Sequence, residues 1–305
     1  MPDYLQNALC DTDTGHPVRI GEILTDAYAG IERMAQSRKH AAGIPTGFTD
    51  LDRILNGLNG GELIVVGARP AMGKTSFALN VVSHAAIRSG KSVALFCPGI
   101  FRSQVALRIL CSAARADLQK VRRGEMNNEL RRALENAMPS VSSAPIYIDD
   151  TPCPTPGMIG SRCRELKREN KLDLIVIDHL GLIRSDEEAG SRDQEADAVF
   201  RALKAIAGEL DVPVLLGAQL ARPGKDRADR YPILKDLGGT GMLEREADVI
   251  LLLHREDYYA VTPKEQETCD VIVSGRRNGP PVTVRLVWHQ KYASFADLSA
   301  EEIIF

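Results

Sequence analysis

The chain has no excess of positive charge. Its 38 lysines and arginines are outnumbered by 41 aspartates and glutamates, giving a formal net charge of -3 and a pI near 6.1. No bulk basic field therefore announces nucleic-acid binding, and any such binding has to come from a local patch or from a channel shared between copies. Cysteines at metal or redox spacing are also missing. Cys10, Cys97, Cys111, Cys153, Cys163 and Cys269 include no C-x-x-C, which leaves a zinc site or dithiol without support and reads as buried, reduced thiols. No stretch approaches the ~20 apolar residues of a membrane span. The opening MPDYLQNALCDTDTGHP carries acids and no apolar run, unlike a signal peptide. The expectation is a cytoplasmic protein with no membrane partner.

What is present is an ordinary globular composition, 44% hydrophobic and 26% charged, enough to bury a core of normal size. Residues 1–19 are polar and aperiodic. Over 20–37, Leu24, Ala27, Tyr28, Ile31 and Met34 recur at three- and four-residue steps, the apolar face of a helix. Gly43 and Pro45 punctuate the stretch that follows. Such a stripe needs cover, from its own domain or from a neighbouring subunit. From residue 46 the chain alternates. Apolar runs at 63–67, Val93–Phe96, 146–148, Leu174–Ile177 and 214–217 are separated by helical stretches near 75–88, 101–115, 156–170 and 194–210. Short continuous apolar runs between helices predict an α/β fold with a mostly parallel sheet covered on both faces. Later runs at 249–253, 271–273 and 282–288 have no long helices between them, and predict antiparallel strands at the carboxyl end.

The segment ELIVVGARPAMGKTSFALNVV carries the strongest chemistry. An apolar strand enters a small-residue loop, and Gly73-Lys74-Thr75 opens a helix. Backbone N–H groups of such a loop surround phosphate oxygens. Lys74 adds a point charge for the terminal phosphates, and the Thr75 hydroxyl can ligate Mg²⁺. The candidate cradle runs through Ala68, Arg69, Pro70, Ala71, Met72, Gly73, Lys74, Thr75 and Ser76. The strict phosphate-loop pattern would place glycine at 68, where this chain has Ala68 preceded by Gly67. A second carboxylate is needed for the metal, usually at the end of another buried strand. LDLIVIDH supplies Asp178, with a plain turn or cap residue as the alternative. Gln219 ends PVLLGAQL and is a candidate γ-phosphate sensor, or an ordinary polar strand end.

Taken in order, GIPTGFTDLDRILNGL, ARPAMGKTSFALN, YIDDTP, LIVIDHLGLI, GAQLAR, LEREADVILLLHREDYY and RRNGP resemble the RecA-like motor domain of DnaB-type replicative DNA helicases over about residues 20–300. The resemblance implies ATP and Mg²⁺ as cofactors. Lys74 and Thr75 take the phosphate and metal roles, Asp178 the Walker B carboxylate and Gln219 the sensor, while Arg69 fits the family loop. It implies that Arg277 in RRNGP is the arginine finger reaching a neighbour's γ-phosphate. It divides the chain into an irregular segment 1–19, a linker helix and linker 20–45 docking on the adjacent subunit, and a RecA-like ATPase domain 46–305. The implied partners are single-stranded DNA, further copies in a hexameric ring, and a helicase loader or primase. In the family a collar domain that contacts primase precedes the linker helix. With some twenty residues there, the chain is read as a fragment, a phage-type short form or a paralogue.

In a ring, ARPGKDRADRYPILKD would line the channel, with Arg222, Lys225, Arg227, Arg230 and Lys235 offset by Asp226, Asp229 and Asp236. A modest patch repeated around a channel funnels a phosphate backbone, and a solvated surface loop is the alternative. Arg222, Lys225, Arg227, Gly239 and Gly241 are the candidate DNA contacts. Several working positions depart from the family. Cys97-Pro98-Gly99-Ile100 stands where Ser-Leu-Glu-Met is expected, so Gly99 replaces the glutamate that activates water. Gly275 replaces a lysine, Gly238-Gly239 replace an arginine and a glutamate of the channel loop, and His179 and Gly181 replace a tyrosine and a glutamine. The expected function is an ATP-dependent helicase motor with weakened hydrolysis. The alternative is a non-hydrolysing nucleotide-binding paralogue that caps, loads or inhibits a ring. A RecA-like recombinase or clock-type ATPase is disfavoured by RRNGP and EADVILLLHRED.

Overall fold

Runs of leucine, isoleucine and valine become the central strands of one sheet, because only a strand with both faces covered can hold so many apolar residues in succession. The computed structural model describes residue 20 and residues 43–187, 189–221, 230–238, 241–259, 267–276 and 281–298. The chain divides at Gly43, and the residues from there on form one unit. Its elements are α1 (Thr49–Leu55), β1 (Leu63–Ala68), α2 (Lys74–Ser83) with a π-helical turn His84–Arg88, β2 (Val93–Phe96), α3 (Arg102–Ala113), α4 (Leu118–Arg123), α5 (Asn128–Ser142), β3 (Ile146–Asp149), α6 (Pro156–Arg168), β4 (Leu174–Ile177), α7 (Arg192–Leu210), β5 (Val214–Gln219), α8 (Met242–Glu246), β6 (Val249–His254), β7 (Glu267–Arg276), β8 (Val282–His289) and β9 (Ser294–Asp297).

The strand order is β3-β2-β4-β5-β1-β6-β7-β8-β9. The first six strands of that order pair in parallel, and β6 to β9 pair antiparallel, as the sequence predicts. Strand β1 lies in the middle, flanked by β5 and β6. Its side chains alternate between two cores. Ile64 and Val66 face a cluster with Phe77, Val81, Leu95 and Leu251, while Leu63 and Val65 face another with Phe200, Leu203, Ile175 and Leu216. The loop at 69–73 therefore grows from a central strand buried at every position.

Four helices were not anticipated: α1, α4, α5 and α8. α4 and α5 follow α3 and enclose a small cluster of Cys111, Ala116, Leu118 and Leu134. Leu134 is the only fully buried residue of the fifteen in α5, but Leu130, Ala133, Ala137 and Val141 line the same half-buried face at three- and four-residue steps, a period that Pro139 inside the helix interrupts in the sequence. The helix is begun by the Asn127 side chain accepting the Leu130 N–H at 2.7 Å. β9 is a further addition. It is four residues long, and only its pairing with β8 identifies it as a strand.

Cys97, Cys111, Cys163 and Cys269 are buried free thiols and Cys153 is exposed. Burial pushes the Cys97, Cys163 and Cys269 thiols up to about 12, which leaves them inert at neutral pH. Among the described residues no helix is long and apolar enough to cross a membrane. The expected helix at 20–37 falls outside the described residues beyond residue 20, and segment 1–19 falls wholly outside.

Candidate nucleotide-binding site

Packing explains the shifted glycine. A Cβ on Gly67 would come 2.8 Å from Leu252 Cδ2 and 2.9 Å from Leu220 Cδ2, whereas the Ala68 methyl is buried in the core as the last residue of β1. Side-chain-free backbone is needed at 67, and alanine fits at 68. Ala68 pairs with Gln219 on β5 and with Leu253 on β6. The loop that follows turns through Ala71 (φ 65°) and Gly73 (φ 98°). Pro70 and Ala71 are exposed, Met72 is buried in the core and anchors the loop, and Ser76 is buried in the first turn of α2. No side chain caps the amino terminus of α2, so its first-turn N–H groups and the positive end of the helix could receive an anion.

The sequence-predicted metal residues converge. Lys74 Nζ is paired with Asp178 Oδ1, and Thr75 Oγ1 donates to Asp178 Oδ2. Asp178 is 6% exposed, and its N–H is held by the Phe96 carbonyl at 2.9 Å, which extends β4 by one residue. A hydroxyl and a carboxylate side by side are the hard oxygen donors that Mg²⁺ prefers, so the residues present fit that ion. Gly217 closes the back of this corner: a Cβ there would sit 3.0 Å from Lys74 Nζ and 3.1 Å from Asp178 Oδ1. Sequence reasoning passed over Gly217, because a glycine near a strand end has many readings. Gln219 is exposed at the end of β5, one strand from the loop.

Two buried arginines flank the loop. Arg69 does not extend into solvent. It donates to Asp236 Oδ2 at 3.2 Å and to the Arg230 carbonyl. Arg255, unassigned by sequence, reaches the Ala71 carbonyl at 3.5 Å, pairs with Glu267 and lies 4.8 Å from the Trp288 ring centroid. Its only sequence signal was its place just after β6, inside a segment matched to the family.

Gly99 lies three residues beyond β2 with φ 108°, and a Cβ would meet Leu182 Cδ1 at 3.0 Å. The nearby acids are engaged elsewhere. Asp149 pairs with Arg162 and accepts the Thr151 N–H at 2.9 Å. Burial acts to raise its pKa, but the Thr151 and Arg162 contacts outweigh it and hold the carboxyl below its ordinary value. Asp150 accepts the Arg102 N–H at 3.0 Å and pairs with that guanidinium at 2.8 Å. These contacts, the backbone one foremost, hold its pKa low as well. His179 accepts the Gly181 N–H on Nδ1 at 3.2 Å. Burial first, then the Lys74 charge, lowers its pKa against the opposing pull of Asp178.

Of the DNA candidates, Gly241 caps the start of α8 with φ 78°, and Gly238 has φ 70°. Arg222, Lys225, Arg227 and Gly239 lie outside the described residues, as does Arg277, one residue past the end of β7.

Residues 43–297 match the family model described as DnaB-like helicase C terminal domain. The chain is 39% identical over 280 residues to the replicative DNA helicase DnaB of Geobacillus stearothermophilus and, to the same extent, to the replicative DNA helicase DnaC of Bacillus subtilis (strain 168). In both cases the match covers 92% of this chain and 62% of the relative, so the chain spans under two thirds of their length. Among solved structures, one described as an ATPase domain superposes with a TM-score of 0.86 at 31% identity, covering 93% of this chain and all of that one. A DnaB-like replicative helicase, described with its interactions with primase, gives 0.83 at 31% identity over 97% of this chain and 70% of that one. The chain belongs to the DnaB-like helicase C-terminal domain family.

Proposed function

We propose that this member of the DnaB-like helicase C-terminal domain family binds ATP·Mg²⁺ between the subunits of a cytoplasmic hexameric ring, holds single-stranded DNA in the central channel, and hydrolyses ATP slowly. The observation that carries the binding half is the convergence of Lys74 and Thr75 on the buried Asp178. Backbone N–H groups of 69–76 and the start of α2 hold the phosphate oxygens, and Lys74 turns from Asp178 to the terminal phosphates. Thr75 Oγ1 and Asp178 hold Mg²⁺, which neutralises charge building up on the β- and γ-phosphates. Gln219 reads the γ-phosphate from the end of β5. Arg277 completes a neighbour's site, so an isolated subunit is deficient in turnover.

Gly99 supports slow hydrolysis. A missing general base commonly costs ~10²–10⁴-fold. Asp149 and Asp150 are held in their own ion pairs. With Nδ1 of His179 accepting a hydrogen bond, its other nitrogen is left as a donor in the neutral ring. The second reading, a non-hydrolysing paralogue that caps, loads or inhibits a helicase ring, is favoured by the same Gly99. A loader or primase is the partner class in either reading.

Nucleotide titration and steady-state ATPase with and without single-stranded DNA test the proposal. Expected are Mg²⁺-dependent ATP binding that Lys74→Ala abolishes and a low turnover that DNA stimulates little. Vigorous DNA-stimulated turnover sinks slow hydrolysis, and a strict monomer by analytical ultracentrifugation with nucleotide and DNA sinks the ring.

A further inference from the structure

The first residue of the phosphate loop beyond β1 is anchored in the segment that follows β5. Arg69 and Asp236 are each 7% exposed. One arm of the guanidinium donates to Asp236 Oδ2 at 3.2 Å and the other to the Arg230 carbonyl. Asp236 ties its own segment together. Its Oδ2 also accepts the Ile233 N–H at 3.2 Å, its N–H donates to the Ile233 carbonyl at 2.9 Å, and its carbonyl accepts the Ala221 N–H at 2.7 Å. Ala221 and Arg230 bracket the stretch that carries Arg222, Lys225 and Arg227. Both brackets are thus held, directly or through Asp236, by one side chain of the phosphate loop.

We infer that Arg69 is a positioning residue that couples nucleotide occupancy to segment 230–238 and, through it, to affinity for single-stranded DNA. The DNA half rests on the function proposed above. Arg69 sits between Ala68, fixed in β1, and the loop amides that close on phosphate. Rearrangement of the loop around a triphosphate moves the guanidinium, and the segment bonded to it follows. A planar two-armed donor holds its partners in fixed geometry, and a buried ion pair does not exchange cheaply for water. Linkage makes the coupling reciprocal: DNA raises nucleotide affinity by the factor that nucleotide raises DNA affinity.

Hydrogen exchange on the full chain, with and without ATP·Mg²⁺, tests the first half. In the wild type, nucleotide is expected to slow exchange several-fold both in the 69–76 amides and in 230–238. In Asp236→Asn, which keeps the shape and removes the charge, slowing persists at 69–76 and disappears at 230–238. Arg69→Lys, which keeps the charge and loses the second arm, also abolishes the 230–238 response and provides a second variant if Asp236→Asn does not fold. A wild type whose 230–238 amides ignore nucleotide, or variants that keep the response, overturn the inference. The second half is read from the affinity for oligo-dT with and without nucleotide. A wild-type ratio of ~5–150 is expected, falling toward 1 in Asp236→Asn while the affinity for each ligand alone stays close to wild type. An unchanged ratio overturns the coupling, because a merely structural strut would shift stability and leave the ratio intact. If the exchange response is present and oligo-dT does not bind at all, the Arg69 link to 230–238 stands and the DNA reading fails.

Discussion

Gly217 stands against Lys74: a Cβ on the glycine would lie 3.0 Å from the lysine ammonium and 3.1 Å from Asp178 Oδ1. The ammonium is the far end of a flexible chain and can retreat, but a methyl group there crowds the corner in which Lys74 and Asp178 would meet phosphate and metal. Gly217→Ala is therefore expected to weaken ATP·Mg²⁺ binding about tenfold, the size of one charge-assisted contact, with little change in melting temperature. Titration with a fluorescent ATP analogue, beside a thermal melt, checks this. Wild-type affinity in the variant would mean the corner is roomier than the geometry says.

Lys74 and Thr75 share Asp178, and in the proposed function they serve different ligands. Thr75→Val should leave metal-free ATP binding nearly intact and remove most of the gain from Mg²⁺, because the hydroxyl is the ligand lost. Lys74→Ala should lower affinity with Mg²⁺ and with EDTA alike. Parallel titrations in the two media separate the roles, and identical profiles for the two variants would contradict them.

Placing at 99 the glutamate that the resemblance implies is not expected to restore turnover. Gly99 has φ 108°, and a side chain there meets Leu182. Gly99→Glu should bring backbone strain of ~1–3 kcal/mol and a drop in melting temperature of roughly 2–10 °C, with ATPase unchanged. Asp149→Asn, which breaks the pair with Arg162, should likewise destabilise without altering ATPase. A rise in turnover for Gly99→Glu at wild-type melting temperature would show that the loop readily accepts the base.

His84 predicts a loss of stability on mild acidification. Burial lowers its pKa, aided by Arg88 and opposed by Asp52 and Asp297. The folded state then holds a proton less readily than the unfolded chain. Stability is complete above the ordinary histidine value of about 6.5 and is lost as pH falls from there through the lowered folded pKa. Thermal melts from pH 7.5 to 5.5 should show a falling midpoint, with a shallower slope in His84→Gln. Equal slopes would assign the dependence to other groups.

The sequence by itself determined the α/β class, the parallel-then-antiparallel order of strands, and the choice of Lys74, Thr75 and Asp178 as candidates, which the structure brings together. Each of these is written in contiguous residues, as an apolar run or as a loop whose backbone must meet phosphate. It did not reveal α1, α4, α5 and α8: three of them are only five to seven residues long, too short to show a period, and the period of α5 is interrupted by Pro139. Only the tertiary structure decided how distant residues meet. It brought Asp178 onto Lys74 across 104 positions and Asp236 onto Arg69 across 167. It set Gly217 behind the ion pair and gave Gly99 a backbone that disfavours the glutamate expected there. Periodicity records which face of an element is apolar. Strand order and side-chain direction, which fix these contacts, arise only when the sheet is assembled.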